Sequence, residues 1–304
     1  MKTTDESGWI HFIADLPIRA KYYLKEIYAP DGYVRATETQ EFTFEYQGDK
    51  TTQAVYEFTF EDVQTSVELS KADLTDGKEL PGASLQVLDS TGTVVEEWIS
   101  TEEPHMIRGL LVGETYTLVE TKPADGYTTA ESIEFKVEDT AEVQKHQMLD
   151  DVTKVEISKT DVTDSKEVPG AKLTILDKDG KVVESWVSDK DPHMVEKLPV
   201  GTYTLREEQA PDGYLVAEEV SFEVKDTGEI QKVEMKDARP TGKLILKKTD
   251  AEDGSPLAGA EFELRIKKSG KVVATLVTDE EGVATSGDIP IATYKDGKMK
   301  KEIE

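Results

Sequence analysis

The segment Val67-Glu68-Leu69-Ser70-Lys71 is the clearest structural signal in this chain. It returns as Val155-Glu156-Ile157-Ser158-Lys159 and again as Leu244-Ile245-Leu246-Lys247-Lys248. Alternating apolar and polar residues predict a β-strand with one buried face. Because side chains alternate between the two faces of a strand, Lys71 shares a face with Val67 and Leu69. The segment therefore predicts a strand that carries a lysine on its apolar face.

A repeat with a period near 88 residues organises the whole chain. Trp98 and Trp186 are 88 positions apart, and Pro104-His105-Met106 returns at the same offset as Pro192-His193-Met194. This period exceeds that of solenoid repeats, so each repeat is expected to be a small domain with its own core. The expected boundaries are two complete repeats, a C-terminal half-repeat before them and an N-terminal half-repeat after them: 65–151, 152–238, 1–64 and 239–304.

Each complete repeat predicts an all-β fold. Strands are expected near 66–73, 84–89, 93–100, 105–110, 115–122, 131–139 and 143–150, separated by turn signals such as Asp76-Gly77 and Thr91-Gly92. Closing strands are also expected in the first half-repeat, up to Asp62. About seven short strands per repeat indicate tandem small antiparallel β-sandwiches of the immunoglobulin or transthyretin type. The short joins predict a stiff, linear string, and both ends are expected to continue into a longer protein.

Composition excludes several classes of function. The net charge of −27 over 304 residues argues against nucleic acid or an anionic membrane surface as partner. No apolar run approaches the length of a membrane span. Cysteine is absent, which excludes disulfides and thiolate metal sites, and asparagine is absent, which excludes N-glycosylation. No cofactor or metal is expected, and no triad, P-loop or dinucleotide motif supports a hydrolase or another enzyme.

Two carboxyl groups share the unusual placement of Lys71. Glu120 lies on the strand face of Tyr116 and Leu118, and Asp150 lies on that of Met148. Buried lysine and carboxyl groups are costly unless they neutralise or react with one another. Three interpretations remain: a lysine that reaches solvent from the strand edge, an unreacted buried ion cluster, or a covalent cross-link.

A family resemblance rests on longer motifs. These are Ile157-Ser158-Lys159-Thr160-Asp161, Val200-Gly201-Thr202-Tyr203-Thr204-Leu205-Arg206-Glu207 and Ala210-Pro211-Asp212-Gly213-Tyr214. With them each repeat resembles the Cna-B and SpaA-type domains of Gram-positive surface adhesins and pilins. The first complete repeat departs slightly, with Lys122-Pro123-Ala124-Asp125-Gly126-Tyr127.

The resemblance implies a spontaneous isopeptide bond between a lysine of the first strand and an asparagine or aspartate of the last, promoted by a buried glutamate. The implied partners are Lys71 with Asp150 and Lys159 with Asp237, and the implied promoting residues are Glu120 and Glu207. Since asparagine is absent, the leaving group would be water rather than ammonia. The half-repeats carry incomplete sets: Glu26 and Asp62 at the start, and Lys248 at the end.

Burial explains why such chemistry needs these residue types. It lowers the pKa of lysine towards the neutral amine and raises that of a carboxylic acid, so that glutamate can polarise the aspartate carbonyl and transfer protons. The bond forms once per molecule, so it is maturation rather than enzymic turnover. The expected function is a stiff stalk or pilin segment, secreted and attached to the cell wall through other regions.

Other interpretations stay open. The alternative function is an adhesin module that itself binds a host or extracellular-matrix ligand. The repeated residues His105, His193, Trp98 and Trp186 favour packing roles over metal or sugar binding. The Asp-rich turns lack the EF-hand pattern, so solvated turns are expected there rather than calcium sites.

Overall fold

The computed structural model describes residues 16–48, 55–290, 294–295 and 298–299. The start of the first half-repeat (1–15), its segment 49–54 and most of the last residues of the chain lie outside this described part. The described residues divide into two compact units, one within 1–124 and 129–150, the other within 125–128 and 151–304. Within the described residues, no helix has the length and apolar character needed to cross a membrane.

The described part of the first half-repeat contains four strands that form two small pairs. β1 and β3 pair antiparallel, as do β2 and β4. The predicted closing strand up to Asp62 is wrong, because residues 55–62 form no strand. In a complete repeat the last strand pairs with the first, and the described part of this segment contains no counterpart of that first strand. The strands are β1 (Lys21–Lys25), β2 (Tyr33–Val34), β3 (Thr39–Thr43) and β4 (Val63–Gln64).

The first complete repeat contains seven strands, within one or two residues of most predicted positions. Alternation of buried and exposed residues sets each strand, and the predicted turns separate them. At Gly92 the backbone has φ +84°, and the Gly92 N–H donates to Asp89 O at 2.9 Å, closing the turn that the sequence predicts there. The strands are β5 (Ser66–Asp73), β6 (Ser84–Leu88), β7 (Val94–Ile99), β8 (His105–Arg108), β9 (Thr115–Lys122), β10 (Ile133–Lys136) and β11 (Gln144–Asp150).

These seven strands form two sheets that share one core. One sheet has the order β10-β9-β6-β7 and the other β11-β5-β8. All neighbours pair antiparallel except β5 and β11, the first and last strands, which run parallel with Lys71 opposite Met148. The predicted β-sandwich is confirmed, with this one parallel pair as a detail that alternation did not predict. The shared core is formed chiefly by Val67, Leu69, Leu85, Val87, Ile107, Tyr116, Leu118, Phe135, Val137 and Met148.

The second complete repeat has the same architecture. Its sheets have the orders β14-β13-β16-β17 and β15-β12-β18, and β12 and β18 again form a parallel pair. Its core is built from equivalent positions, including Val155, Ile157, Leu173, Leu205 and Met235. The strands are β12 (Lys154–Asp161), β13 (Lys172–Leu176), β14 (Val182–Val187), β15 (His193–Glu196), β16 (Gly201–Gln209), β17 (Val220–Val224) and β18 (Ile230–Asp237).

The last segment forms only two-stranded pairs in its described part. These are β19 with β24, β20 with β23, β21 with β22 and β25 with β26. The strands are β19 (Thr241–Gly242), β20 (Ile245–Lys247), β21 (Glu261–Arg265), β22 (Val272–Val277), β23 (Val283–Thr285), β24 (Ile289–Pro290), β25 (Tyr294–Lys295) and β26 (Lys298–Met299). The segment therefore lacks, among its described residues, the two larger sheets that enclose a core in the complete repeats.

Candidate functional site

The first complete repeat brings three ionisable side chains together in its core. Lys71 on β5 and Asp150 on β11 come from the three-stranded sheet, whose parallel pairing places both on the inward face. Glu120 on β9 comes from the facing sheet, where it pairs with Leu85 of β6. Lys71 and Asp150, the outer two of the three in sequence, are 79 positions apart but adjacent in space. We call Lys71, Glu120 and Asp150 the first cluster.

The first cluster is closed to water. The side chains of Lys71, Glu120 and Asp150 are at most 2% exposed. Lys71 Nζ contacts Asp150 Oδ1 and lies 2.9 Å from Glu120 Oε1. Among the described residues, no hydrogen-bond donor satisfies Asp150 Oδ2. The sequence-based interpretation that Lys71 reaches solvent from the strand edge is therefore wrong for this repeat.

The second complete repeat repeats this arrangement as the second cluster, Lys159, Glu207 and Asp237. Lys159 Nζ contacts Asp237 Oδ1 and lies 3.3 Å from Glu207 Oε1, with all three side chains at most 1% exposed. Lys159 lies on β12, Asp237 on the parallel strand β18 and Glu207 on β16. All six residues predicted from the two complete repeats therefore lie in two equivalent buried sites.

A backbone contact that the sequence did not reveal orients each glutamate. Ala130 donates its N–H to Glu120 Oε2 at 2.7 Å, and Ala217 donates to Glu207 Oε2 at 2.6 Å. In both cases the donor follows the glutamate by ten positions and belongs to a loop after the Asp-Gly-Tyr motif. One carboxyl oxygen is thereby fixed, and the other oxygen is left facing the lysine. The only sequence signal was the constant spacing of the repeats.

Burial changes the protonation of the aspartates. Desolvation, chiefly, together with the neighbouring Glu120 raises the pKa of Asp150 to about 7, against the opposing effect of Lys71. Desolvation likewise raises the pKa of Asp237 to about 6, opposed by Lys159 and assisted by Glu207. A protonated aspartate is a better electrophile than a carboxylate, since attack on a carboxylate would build a second negative charge. The acid form is therefore well populated up to about pH 7 in the first site and up to about pH 6 in the second.

The clusters can support one reaction in particular. Transfer of one proton from the lysine ammonium to the aspartate carboxylate leaves an amine beside an acid, with no charge on either partner. Contact between these groups corresponds to a high effective concentration, roughly 10⁵–10⁸ M for well-oriented intramolecular reactions. The glutamate lies close enough to exchange protons with the nitrogen. The geometry therefore suits condensation of amine and acid.

The first segment contains two of the three components. Glu26 Oε2 accepts the N–H of Ala36 at 2.7 Å, which reproduces the contact made by Glu120 and Ala130. Burial raises the pKa of Glu26, and the neighbouring Asp62 raises it further, against the hydrogen bond from Ala36. Within the described residues, no lysine forms an ion pair with either carboxyl group. Both are half-buried rather than enclosed.

Lys248 in the last segment is separated from any such acid. Its Nζ donates to the carbonyl of Thr249 at 3.3 Å, and the side chain is partly exposed. No carboxylate in the described part of the chain forms an ion pair with it. The structure therefore assembles two of the predicted sets and leaves Glu26, Asp62 and Lys248 in incomplete ones.

The aspartate two positions after each lysine has a different role from the acceptor. Asp161 Oδ1 accepts the N–H of Thr163 at 2.7 Å, which caps the turn after β12. Although burial acts to raise it, the pKa of Asp161 is held at about 2 by hydrogen bonds from Thr163, Tyr214 and Arg239. Arg239 Nη2 lies 2.8 Å from Asp161 Oδ2. This group was not predicted, because Arg239 lies 78 positions away.

The histidines and tryptophans pack against each other. His105 stacks on Trp98 with ring centroids 4.2 Å apart, and His193 stacks on Trp186 at 4.4 Å. Each histidine also contacts a glutamate, Glu96 or Glu184. In the described residues, no group of three or more histidine, aspartate or glutamate side chains is arranged to hold a metal ion. The two stacked ring pairs agree with the expected packing role.

Comparison with protein families gives a match that repeats along the chain. The family model for the SpaA prealbumin-like fold domain matches residues 1–57, 65–151, 153–239 and 242–296. The chain belongs to this family. The resemblance predicted from the sequence is thereby confirmed. The matches at 65–151 and 153–239 each contain one buried cluster of lysine, glutamate and aspartate.

Similar solved structures come from Gram-positive bacteria. The Bacillus anthracis TIE protein is 26% identical with a TM-score of 0.43, covering 83% of this chain and 47% of its own length. The shaft pilin SpaA from Lactobacillus rhamnosus GG is 14% identical (TM-score 0.29), covering 58% of this chain and 98% of the pilin. BcpA, the major pilin subunit of Bacillus cereus, is 13% identical (TM-score 0.27), with coverage of 58% and 99%. This chain thus spans about half of the TIE protein. Comparison with curated protein sequences finds no match.

Proposed function

We propose that this chain is a structural segment of a Gram-positive surface stalk or pilus, strengthened by an intramolecular isopeptide bond in each complete repeat. The bonds join Lys71 to Asp150 and Lys159 to Asp237, promoted by Glu120 and Glu207. Membership of the SpaA family supports the structural role. The observation that carries the chemistry is that a buried lysine of the first strand contacts a buried aspartate of the last strand in both repeats.

The proposed step is a condensation. Lys71 Nζ, as a neutral amine, attacks Cγ of protonated Asp150 to form a tetrahedral intermediate. Glu120 takes a proton from the nitrogen and delivers one to the departing hydroxyl. The C–O bond breaks, water leaves, and an amide N–C bond remains, with Glu120 returned to its starting protonation state. The reaction needs no oxidant, cofactor or second substrate, and it runs once per repeat.

The bond changes how a repeat bears load. Lys71 lies on the first strand and Asp150 is the last residue of the last strand. Tension applied at the two ends of the repeat would pass through the amide and bypass most of the sandwich between them. Closing a loop of this length stabilises the folded state by about 4–5 kcal/mol in the chain-entropy description. The bond also slows unfolding under force and during proteolysis. This is a kinetic effect that the equilibrium free energy does not include.

The setting of the proposed function is outside the cell. A stalk must remain soluble and resist non-specific adhesion, and the net charge of −27 suits that requirement. A covalent amide supplies the cross-link that disulfides provide in other extracellular proteins, in a chain without cysteine. The role is that of a spacer, not an enzyme.

Intact mass spectrometry of the denatured protein tests this proposal. The expected mass is lower than the sequence mass by two waters, and Lys71→Arg and Lys159→Arg should each restore one. Arginine keeps the positive charge but forms no amide here. Lys248→Arg is the matched control and should leave the two-water deficit unchanged. Fragmentation should show branched peptides that join Lys71 to Asp150 and Lys159 to Asp237. A mass equal to that of the sequence would overturn the cross-link and leave an unreacted ion cluster.

A further inference from the structure

The loop that contains the Asp-Gly-Tyr motif makes a second kind of recurring contact. In the first compact unit, the loop at 30–33 packs against Thr65 and residues 109–110. In the second unit, the loop at 125–128 packs against Thr153 and residues 197–198. Residues 125–128 belong to the first complete repeat by sequence, yet they are part of the second compact unit. We call 30–33 and 125–128 the first and second docking loops.

A fully buried threonine is the centre of each contact. Thr65 donates its N–H to Gly32 O at 3.0 Å, donates its hydroxyl to Leu110 O at 2.7 Å, and accepts the N–H of Gly109 at 3.1 Å. The equivalent Thr153 donates to Gly126 O at 3.1 Å and to Leu198 O at 2.6 Å, and accepts from Lys197 at 3.1 Å. Both threonines are 0% exposed and lie six positions before the cluster lysine.

The glycine of each docking loop allows this approach. A Cβ atom on Gly32 would lie 2.5 Å from the carbonyl oxygen of Gly109, and one on Gly126 would lie 2.5 Å from that of Lys197. Both neighbours are backbone, so neither can move aside as the end of a flexible side chain could. The two glycines also have positive φ, +79° and +87°. The contact therefore needs glycine for steric reasons beyond its backbone conformation.

The residue opposite the second docking loop is held in an uncommon conformation. Lys197 has φ +62°, which is rare for a residue with a side chain, whereas the equivalent Gly109 has φ +79°. Lys197 Nζ donates to the hydroxyl of Tyr127 at 2.6 Å and lies 4.8 Å from the centre of the Tyr127 ring. These contacts offset the backbone cost and add a side-chain component to the docking.

The third loop of this type provides an internal contrast. Tyr214 donates its N–H to Pro211 O at 3.2 Å, as Tyr33 does to Pro30 O at 3.1 Å, so the loop has the same internal turn. Gly213 has φ +91°, yet no atom of the described chain lies within 4 Å of a Cβ built there. Six positions before Lys248 the sequence has Gly242, which has no hydroxyl. The turn therefore forms without the glycine and threonine contacts where the threonine is absent, and the tyrosine contact remains, since Arg239 Nη2 donates to the Tyr214 hydroxyl at 2.7 Å.

We propose that the Asp-Gly-Tyr loop is an interaction surface whose partner is the repeat that follows it in the same chain. The partner surface is the buried threonine before the first strand together with the loop at Gly109 or Lys197. Docking requires glycine in the loop and a threonine in the partner, whose hydroxyl also donates to the loop carbonyl of Gly32 or Gly126 at 3.4 Å. It does not depend on the isopeptide bonds, because the residues of the two clusters make none of these contacts.

Hydrogen exchange on the full chain tests the docking. Gly126→Ala should raise hydrogen exchange at the Thr153 and Lys197 amides by about tenfold or more. The reason is that fewer hydrogen bonds must break before these amides open to water. Gly32→Ala should do the same at Thr65 and Gly109. Gly213→Ala is the matched control: it imposes the same positive-φ penalty without a close contact, and these four amides should keep wild-type exchange.

A second variant keeps the test decisive if an alanine variant does not fold. Thr153→Val preserves side-chain shape and removes the hydroxyl, so it should raise exchange at the same amides to a smaller extent. Wild-type exchange in both Thr153→Val and Gly126→Ala, or an equal rise in Gly213→Ala, would overturn the proposal. Intact mass of every variant should retain the two-water deficit. A loss of docking and a failure of the cross-link are therefore distinguishable.

Discussion

The first cluster and the Glu26–Asp62 pair show what one lysine changes. In both places a glutamate accepts an N–H from the residue ten positions later, at 2.7 Å, and an aspartate lies beside it. Lys71 contacts both acids of the cluster, and all three are enclosed. Within the described residues, the pair has no such cation and stays half-buried. The glutamate framework therefore forms without lysine, whereas enclosure accompanies the complete set.

This difference has a simple electrostatic reason. Two carboxylates in one dry site repel each other, and burying either alone is costly. A lysine between them supplies one positive charge and one transferable proton. The complete cluster can then become neutral at the reacting pair, while the pair without lysine must hold a proton or remain near water. The comparison predicts opposite consequences for the same substitution at equivalent positions.

The largest expected effect is on formation of the isopeptide bond between Lys71 and Asp150. Glu120→Gln preserves an oxygen acceptor for the Ala130 N–H but removes the group that transfers protons, so the first repeat should keep its water. Loss of the cross-link should lower the free energy of unfolding of that repeat by about 4–5 kcal/mol. Intact mass and urea denaturation measure the two consequences. Glu26→Gln, the equivalent change in the pair, should leave the mass deficit intact. A full deficit in Glu120→Gln would show that glutamate is not needed.

The next effect is a pH dependence that appears only when the bond is absent. In Glu120→Gln, Asp150 remains a titrating group whose pKa is raised chiefly by burial. Its contribution to stability is complete below its ordinary pKa of 3.8 and is lost as pH rises through its raised pKa. That pKa lies below about 7 in this variant, because Glu120 is one of the groups that raise it. The loss is at most about 4 kcal/mol.

The matched variant isolates this titration from other carboxyl groups. Glu120→Gln/Asp150→Asn has no acid at the position, so the difference in urea midpoint between the two variants reports Asp150 alone. That difference should change between about pH 4 and pH 7 in favour of the asparagine variant. A difference that is constant with pH, or that changes in the opposite direction, would contradict the assignment of a raised pKa to Asp150.

The smallest expected effect is that of Glu26→Gln on stability, and it is opposite in sign to that of Glu120→Gln. Burial and Asp62 raise the pKa of Glu26, so ionised Glu26 destabilises its segment above that pKa. Glu26→Gln should therefore stabilise the segment at neutral pH, by less than about 1 kcal/mol because the site is partly solvated. Thermal unfolding at pH 7 and pH 4 measures this, with the gain confined to pH 7. Destabilisation at pH 7 would mean that the pair is held by contacts other than the repulsion argued here.

Much of the fold followed from local pattern. The strand containing Lys71 was expected at 66–73 and spans Ser66–Asp73, because alternation of buried and exposed residues is a property of each strand alone. The same pattern placed Lys71, Glu120 and Asp150 on inward faces. The prediction of a closing strand up to Asp62 was wrong. A last strand forms only against a first strand, and the described part of the first half-repeat has no such strand.

What the sequence determined by itself is which side chains face inward and that two repeats carry the same set, because strand periodicity and spacing are encoded locally. The tertiary structure alone decided the parallel pairing of first and last strands, the placement of Glu120 from the opposite sheet, and the docking of Gly126 on Lys197. These depend on contacts between residues that are 49 (Lys71 and Glu120) to 79 (Lys71 and Asp150) positions apart. Only the folded core brings such groups together and removes the water that would otherwise keep them charged.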